Sequence, residues 1–219
     1  MKSSYDDVRI SADPAGDAAR ELARAIGNAV AARGVALIAV SGGSTAPALF
    51  GGLSATGLDF ERVEVWQVDE RVVPDGDPDR NLGQLLMYQW TIHAMPVTAA
   101  NLDVAAADYA TTLPERFDIV HLGVGSDGHT ASWPPGRDLP NNSDVIAVAD
   151  FRGHDRLTLT PAVVARARHR LVLVNGADKA AVVAAWMAGD PGLPASLIPR
   201  GDTVVFLDPA AASTVDDSV

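Results

Sequence analysis

The sequence predicts an α/β fold, a doubly wound and mostly parallel sheet with helices on both faces and a small region of loops and edge strands. Three observations predict it. Short continuous apolar runs recur, among them VALIAV at 35–40, FDIVHLGV at 117–124 and RLVLVN at 170–175. Segments of helical periodicity alternate with such runs. Several runs also end in turns loaded with glycine, hydroxyls or charge. Strands covered on both faces read as unbroken apolar runs, and alternation with helices implies parallel crossovers.

The elements follow in order. Asp13 caps a first helix with Pro14 at its first position. Ala15, Leu22, Ala23, Ile26 and Val30 then repeat at helical spacing, and Gly34 ends it. The run 35–40 is a buried strand entering SGGST, and a helix follows from Pro47 to Leu53. VEVWQV at 63–68 is a strand that runs straight into Asp69, Glu70 and Arg71. Helices are expected over 81–92 and 104–113, and a buried strand over 117–124. RLTLT at 156–160, RLVLVN at 170–175 and TVVFLD at 203–208 are further strands, with a helix over 178–187 between the last two. The stretch 134–160 is rich in Pro, Asn and Asp and reads as loops and edge strands packed on the sheet. No repeat or linker interrupts the chain, so one domain over 1–219 is expected.

Composition narrows the function. The net charge is −11 over 219 residues. Nucleic acid and anionic membranes both require a basic face, so neither is expected as a partner. A small anionic substrate needs only two or three local cations. There is no cysteine, which removes disulfides, thiolate catalysis and thiolate metal sites. MKSSYDDVRI lacks the apolar core of a signal peptide. The longest apolar run, Ala180 to Ala188, is short of the ~18 residues that suggest a membrane span. A cytoplasmic protein is the expectation, with a monomer favoured.

Three loaded turns carry the chemistry: Ser41–Thr45, Asp69–Arg71 and Gly125–Ser132. In open parallel sheets ligands sit outside the carboxyl ends of the strands, so these turns can meet around one pocket. SGGST offers backbone N–H groups and hydroxyls at a helix start, a cradle for phosphate. A plain capped turn would carry the same residues. Asp69 and Arg71 can set an acid and a cation over the pocket, although surface ion pairs are common.

Of five histidines, His93, His154 and His169 sit in polar contexts and read as surface residues. His121 lies inside a strand and reads as a satisfied core histidine. His129 differs, because it follows Gly125 and Gly128 in a turn that folding alone does not require. Imidazole titrates near neutrality and suits a general base, with Asp127 and Asp69 both candidates to orient it. Lys179 is one of two lysines beside fifteen arginines, the other being Lys2 in the tail. It falls in the first turn of a helix, where a cation is unfavourable unless an anion binds.

VSGGSTAP, QVDERVVP with Asn81 downstream, LGVGSDGHTASWPPG, RLTLTP, NGADK and LPASLI occur in that order. Together they resemble the 6-phosphogluconolactonase family, and GxGxDGHTAS is the most specific part. The resemblance implies a Rossmann-like domain shared with glucosamine-6-phosphate deaminases and ribose-5-phosphate isomerases. It implies hydrolysis of 6-phospho-D-glucono-1,5-lactone in the oxidative pentose phosphate pathway, with no cofactor and no metal. By position it makes His129 the base that activates water, and Asp69 an aid to that base or water. Gly42, Gly43, Ser44, Arg71 and Lys179 would hold the substrate and its phosphate, with Arg156 a weaker candidate. Arg80 replaces the family's usual Ser and would sit at the phosphate rim. Backbone N–H groups of the turn at Gly125, Asp127 and Gly128 would stabilise the oxyanion. Ala46 separates Thr45 from the usual Pro, and Trp133-Pro134 stands where the family has Leu-Phe. Two rivals compete: a deaminase or isomerase of the same fold, and a non-catalytic phosphosugar-binding module. The deaminases are similar to GHIAFNEP at the histidine turn, whereas this chain has GHTASWPP.

Overall fold

The computed structural model describes Tyr5, residues 7–140 and residues 142–215. Lys2 and most of the tail segment 1–6 lie outside the described residues.

The strands are β1 (Asp7–Ile10), β2 (Ala36–Val40), β3 (Val63–Gln67), β4 (Asp69–Arg71), β5 (Thr91–His93), β6 (Ile119–Leu122), β7 (Val145–Phe151), β8 (His154–Leu159), β9 (His169–Val174) and β10 (Thr203–Leu207). Seven form one sheet in the order β1-β10-β9-β6-β2-β3-β5, and every pairing in it is parallel. The helices are α1 (Pro14–Arg33), α2 (Ala46–Ser54), α3 (Leu82–Leu85), α4 (Leu102–Thr112), α5 (Pro161–Arg166) and α6 (Ala180–Met187).

Strand alternation sorts the core into two layers. Ile38, Val40, Val65 and Phe206 face α1 and α2, packing with Leu22, Ile26 and Phe50. Ala39, Trp66, Val120 and Val172 face the other way, toward Tyr109 of α4 and Trp186 of α6. Both faces are therefore covered, and the apolar runs are the buried strands they were expected to be. The first helix starts and stops as its sequence requires. Asp13 accepts from the Gly16 N–H at 3.0 Å, and Gly34 closes the helix with φ 82°.

The sheet order places the topological switch between β2 and β6. The chain runs outward from β2 through β3 to β5, then returns to the other side of β2 with β6. At such a switch the following loops part and leave a crevice. SGGST follows β2 and the His129 turn follows β6.

Three expectations differ from the structure. The helix expected over 81–92 is helical only over Leu82–Leu85, and Thr91–His93 is an edge strand beside β3. Its apolar spacing serves an aromatic cluster instead. Trp90 packs edge-on to Phe50 at 5.4 Å, and its indole N–H donates to the Leu85 carbonyl at 2.9 Å, which folds the segment into turns. RLTLT is not in the main sheet. It forms the middle of a separate antiparallel sheet, β4-β8-β7, whose third strand is Asp69–Arg71. β1 was not anticipated, because its DVRI pattern is charged and half exposed at the sheet edge.

Candidate active site

The loop after β2 is shaped by two glycines with different needs. A Cβ on Gly42 would stand 2.4 Å from Asn81 Oδ1, so only glycine lets Asn81 pack there. Gly43 has φ 103°, a left-handed conformation that side chains disfavour. Its N–H donates to Gln84 Oε1 at 3.1 Å. Among the described residues, the N–H groups of Gly42, Ser44 and Thr45 find no protein acceptor. They remain available to an anion.

The short strand β4 splits Asp69-Glu70-Arg71 by alternation. Glu70 turns away from the pocket and is fully buried. Its carboxylate accepts from the backbone N–H groups of Arg71, Asn81 and Leu82 at 2.8 Å each and from Gln67 Nε2 at 2.7 Å. Asp69 and Arg71 line the pocket. The register pairs Arg71 with Arg156 and Asp69 with Thr158, so both arginines share a face.

Asp69 is buried. It accepts from the Ser132 hydroxyl at 2.7 Å and lies 3.8 Å from Arg156 Nη1. Burial raises its pKa above the usual carboxylate range, against the opposing pull of Ser132, Arg156 and Arg71.

His129 sits over Gly125. A Cβ on Gly125 would fall 2.0 Å from the ring, so the glycine exists to let the imidazole lie down. The His129 Nδ1 hydrogen-bonds to Asp127 Oδ1, which also accepts the His129 backbone N–H at 3.2 Å. A carboxylate at Nδ1 selects the tautomer with the proton there and leaves Nε2 as the free base. The Phe151 ring, edge-on at 5.2 Å, fixes the plane. Burial alone would raise the Asp127 pKa, but the bond to His129, its charge and nearby Arg152 hold it below the usual range.

These groups surround one cavity of about 290 Å³. Gly42, Gly43, Ser44, Asp69, Arg71, Gly125, His129, Arg156 and Lys179 all line it. Lys179 caps the amino end of α6, with Nζ 3.1 Å from Asp178. Arg71, Arg152, Arg156 and Lys179 make the cavity cationic in a chain of charge −11.

Some sequence readings need correction. Arg80 is not at the rim. Its Nε lies 3.4 Å from buried Glu70, and Nη1 reaches Asp75 at 2.9 Å, so it neutralises the carboxylate that holds Asn81 in place. The N–H of Gly125 donates to the His129 carbonyl at 2.8 Å, and that of Gly128 to the Gly125 carbonyl at 3.0 Å. Both are spent on the turn and neither can meet an oxyanion. Gly128 instead has φ 82° and packs against Leu193. Asp127, not Asp69, is the group that contacts the base. His121 is buried, and its one polar neighbour is the Ser41 backbone, too poorly aligned to make a full hydrogen bond to either ring nitrogen. His93 is half-buried, stacked on Trp66 at 3.9 Å. Arg152 was missed altogether. Its only sequence signal was an Arg-Gly pair in DFRGHD, a hairpin turn.

No group of three or more His, Asp or Glu side chains that could hold a metal occurs among the described residues. No helix among them is long and apolar enough to cross a membrane.

An open parallel sheet with a cationic pocket at its switch point, floored by a carboxylate-oriented imidazole, defines an α/β protein built to receive a small anionic ligand. A family model described as glucosamine-6-phosphate isomerases/6-phosphogluconolactonase matches residues 11–206. The chain belongs to that family. It is similar to the 6-phosphogluconolactonase of Synechocystis sp., 34% identical over 213 residues, 87% of this chain and 89% of that protein. It is 36% identical over 226 residues to that of Mycobacterium tuberculosis, across 90% of this chain and 92% of that protein. The crystal structure of a 6-phosphogluconolactonase from Shewanella baltica superposes with TM-score 0.83 at 26% identity, covering 92% of this chain and 96% of that one.

Proposed function

We propose that the chain hydrolyses 6-phospho-D-glucono-1,5-lactone to 6-phospho-D-gluconate, the lactonase step of the oxidative pentose phosphate pathway, without a metal. The observation that carries this is the Asp127–His129 pair beside a pocket lined by four cations. The relatives' names support the choice of lactone.

The phosphate binds the SGGST amides with Arg71 and Lys179. Arg71 and Arg156 face each other across β4 and β8, and like charges directly opposite are unfavourable without an anion. That arrangement suits a phosphate ester better than a neutral sugar. Anchoring the phosphate turns remote binding energy into orientation of the ring.

A lactone carbonyl is already electrophilic. His129 Nε2 takes a proton from water as the water oxygen bonds to C1. The carbonyl π pair moves onto oxygen. Collapse restores the C=O, breaks the bond from C1 to the ring oxygen, and that oxygen takes the proton back from His129. Asp127 holds the ring and balances its transient charge. Asp69, fixed by Ser132 and Arg156, accepts a hydrogen bond from the attacking water.

The test is turnover of the purified chain. 6-Phosphogluconate should form faster than by spontaneous hydrolysis, and dialysis against a chelator should leave the rate unchanged. Deamination of glucosamine 6-phosphate without lactone turnover would overturn the reading. Activity lost to the chelator and restored by a divalent cation would overturn its metal-independent form.

A further inference from the structure

A lactonase of this design needs a donor for the oxygen that becomes negative when water adds to C1. Of the turn amides, those of Gly125 and Gly128 are bonded within their turn at 2.8 and 3.0 Å, while that of Asp127 has no acceptor among the described residues. The donor must stand close to the base, because the water that His129 activates attacks the same carbon.

Four cationic side chains line the pocket, and among the described residues one of them contacts the base. Arg71 Nη1 donates to the Asp79 carbonyl at 2.6 Å, and Lys179 pairs with Asp178 at 3.1 Å. Arg156 is buried beside Asp69, and its Nε donates to the Phe151 carbonyl at 3.1 Å. Arg152 is the one that reaches the base. Its Nη1 lies 3.3 Å from His129 Nδ1 and 3.5 Å from Asp127 Oδ2. With the Nδ1 proton directed to Asp127, the contact with His129 joins two donors and is not a bond. Among the described residues only the loose approach to Asp127 holds the guanidinium, which leaves its donors able to turn to a ligand.

The backbone beneath Arg152 adds a second, independent observation. Phe151 and His154 pair across the β7–β8 hairpin, leaving Arg152 and Gly153 as a two-residue turn with φ 55° and 85°. The first position of such a turn favours Asn, Asp or Gly, and an arginine there is strained. Strain of this kind persists where the surroundings impose it and clusters at functional sites. Here the tip is braced on both sides. Arg137 donates to the carbonyls of Ala149 and Asp150 at 2.6 and 3.1 Å, and the Phe151 ring abuts His129.

Resting on the lactonase reading above, we propose that Arg152 is a further catalytic residue, donating to the C1 oxygen as it becomes an oxyanion and to the C1 carboxylate of the product. No proton leaves the guanidinium. It stabilises the negative oxygen while the water proton resides on His129.

Calorimetric titration tests the contact without turnover. 6-Phosphogluconate and glucitol 6-phosphate share the phosphate and hydroxyl chain and differ only at C1. Arg152→Gly removes the guanidinium and suits the left-handed turn, so it should be at least as stable as the wild type. It should bind 6-phosphogluconate roughly ten- to a hundredfold more weakly, the worth of a charged hydrogen bond. Glucitol 6-phosphate should bind both proteins alike within about twofold. On the lactone, kcat should fall on the order of 10²–10³-fold with KM nearly unchanged, as for loss of one oxyanion donor. Added guanidinium should restore part of the rate. Equal weakening toward both ligands would overturn the proposal, making Arg152 part of the phosphate grip. Unchanged kcat would also overturn it. A wild type that does not hydrolyse the lactone but loses its preference for the acid in Arg152→Gly would sink the lactonase reading and uphold the C1 contact.

Discussion

His121 offers a measurable consequence of burying an imidazole with little hydrogen bonding. It sits in β6 between Val40 on one neighbouring strand and Leu171 on the other. The Phe50 ring lies edge-on at 6.1 Å, and neither ring nitrogen is hydrogen-bonded among the described residues. Burial favours the neutral ring and, against a weaker opposing pull from the Ser41 backbone, moves its pKa from 6.5 down to about 4. In the unfolded chain the ring takes up a proton near pH 6.5, but in the folded chain it does so only near pH 4. Across that window the unfolded state holds more protons, so stability falls as pH falls. The full difference corresponds to about 3 kcal/mol, of which about 2 kcal/mol is already lost at pH 5. Denaturant melts of wild type and His121→Leu at pH 7.5, 6, 5 and 4.5 isolate it, because carboxylates elsewhere titrate equally in both. The difference in stability should move by about 2 kcal/mol in favour of leucine between pH 7.5 and pH 5. At pH 7.5 leucine should cost little or nothing, since the polar atoms it removes are poorly hydrogen-bonded. Parallel curves for the two proteins would refute the reasoning and require a hydrogen-bond partner for the ring.

Three further predictions concern the pocket. His129→Ala should keep the fold and ligand binding but lose kcat by on the order of 10²–10⁴, and the acid limb of the pH profile should vanish with it. Near-normal kcat with that limb intact would move the base elsewhere, with Asp69 next to be tested. Arg71→Ala and Lys179→Ala should each cost about ten- to a hundredfold in kcat/KM on the phosphorylated lactone and far less on gluconolactone. Equal losses on both substrates would mean a role in holding the fold. Gly125→Ala places a methyl 2.0 Å from the imidazole and should displace it, lowering kcat while a melting curve changes little. Wild-type kcat in that variant would show that the ring does not need to rest on Gly125.

How much of this was legible beforehand follows from what is local. The parallel strands were readable because a strand covered on both faces must be apolar throughout, and VALIAV or RLVLVN needs no partner to say so. The loaded turns were readable because glycine, hydroxyl and acid chemistry acts over three or four residues. The cap at Asp13 and the stop at Gly34 fall where their own conformations dictate. His129 stood out because a glycine turn around an imidazole has no use in folding.

What the sequence left open is which distant groups meet, since pairing across a sheet leaves no periodicity in either strand. Asp69–Arg71 looked like a turn until β8 supplied its partner, and that pairing sets Arg71 opposite Arg156. Arg80 looked like part of the phosphate rim, and only the position of buried Glu70 turns it inward. The amides of Gly125 and Gly128 looked free, because the carbonyls that occupy them belong to the closed turn and not to the residue pattern. His121 looked satisfied, but whether a buried nitrogen finds an acceptor depends on what the neighbouring strands and α2 present to it. Arg152 carried no signal beyond a polar hairpin. Its nearness to His129 exists only because the small antiparallel sheet folds over the carboxyl ends of the large one, a long-range packing that burial decides and local chemistry does not encode.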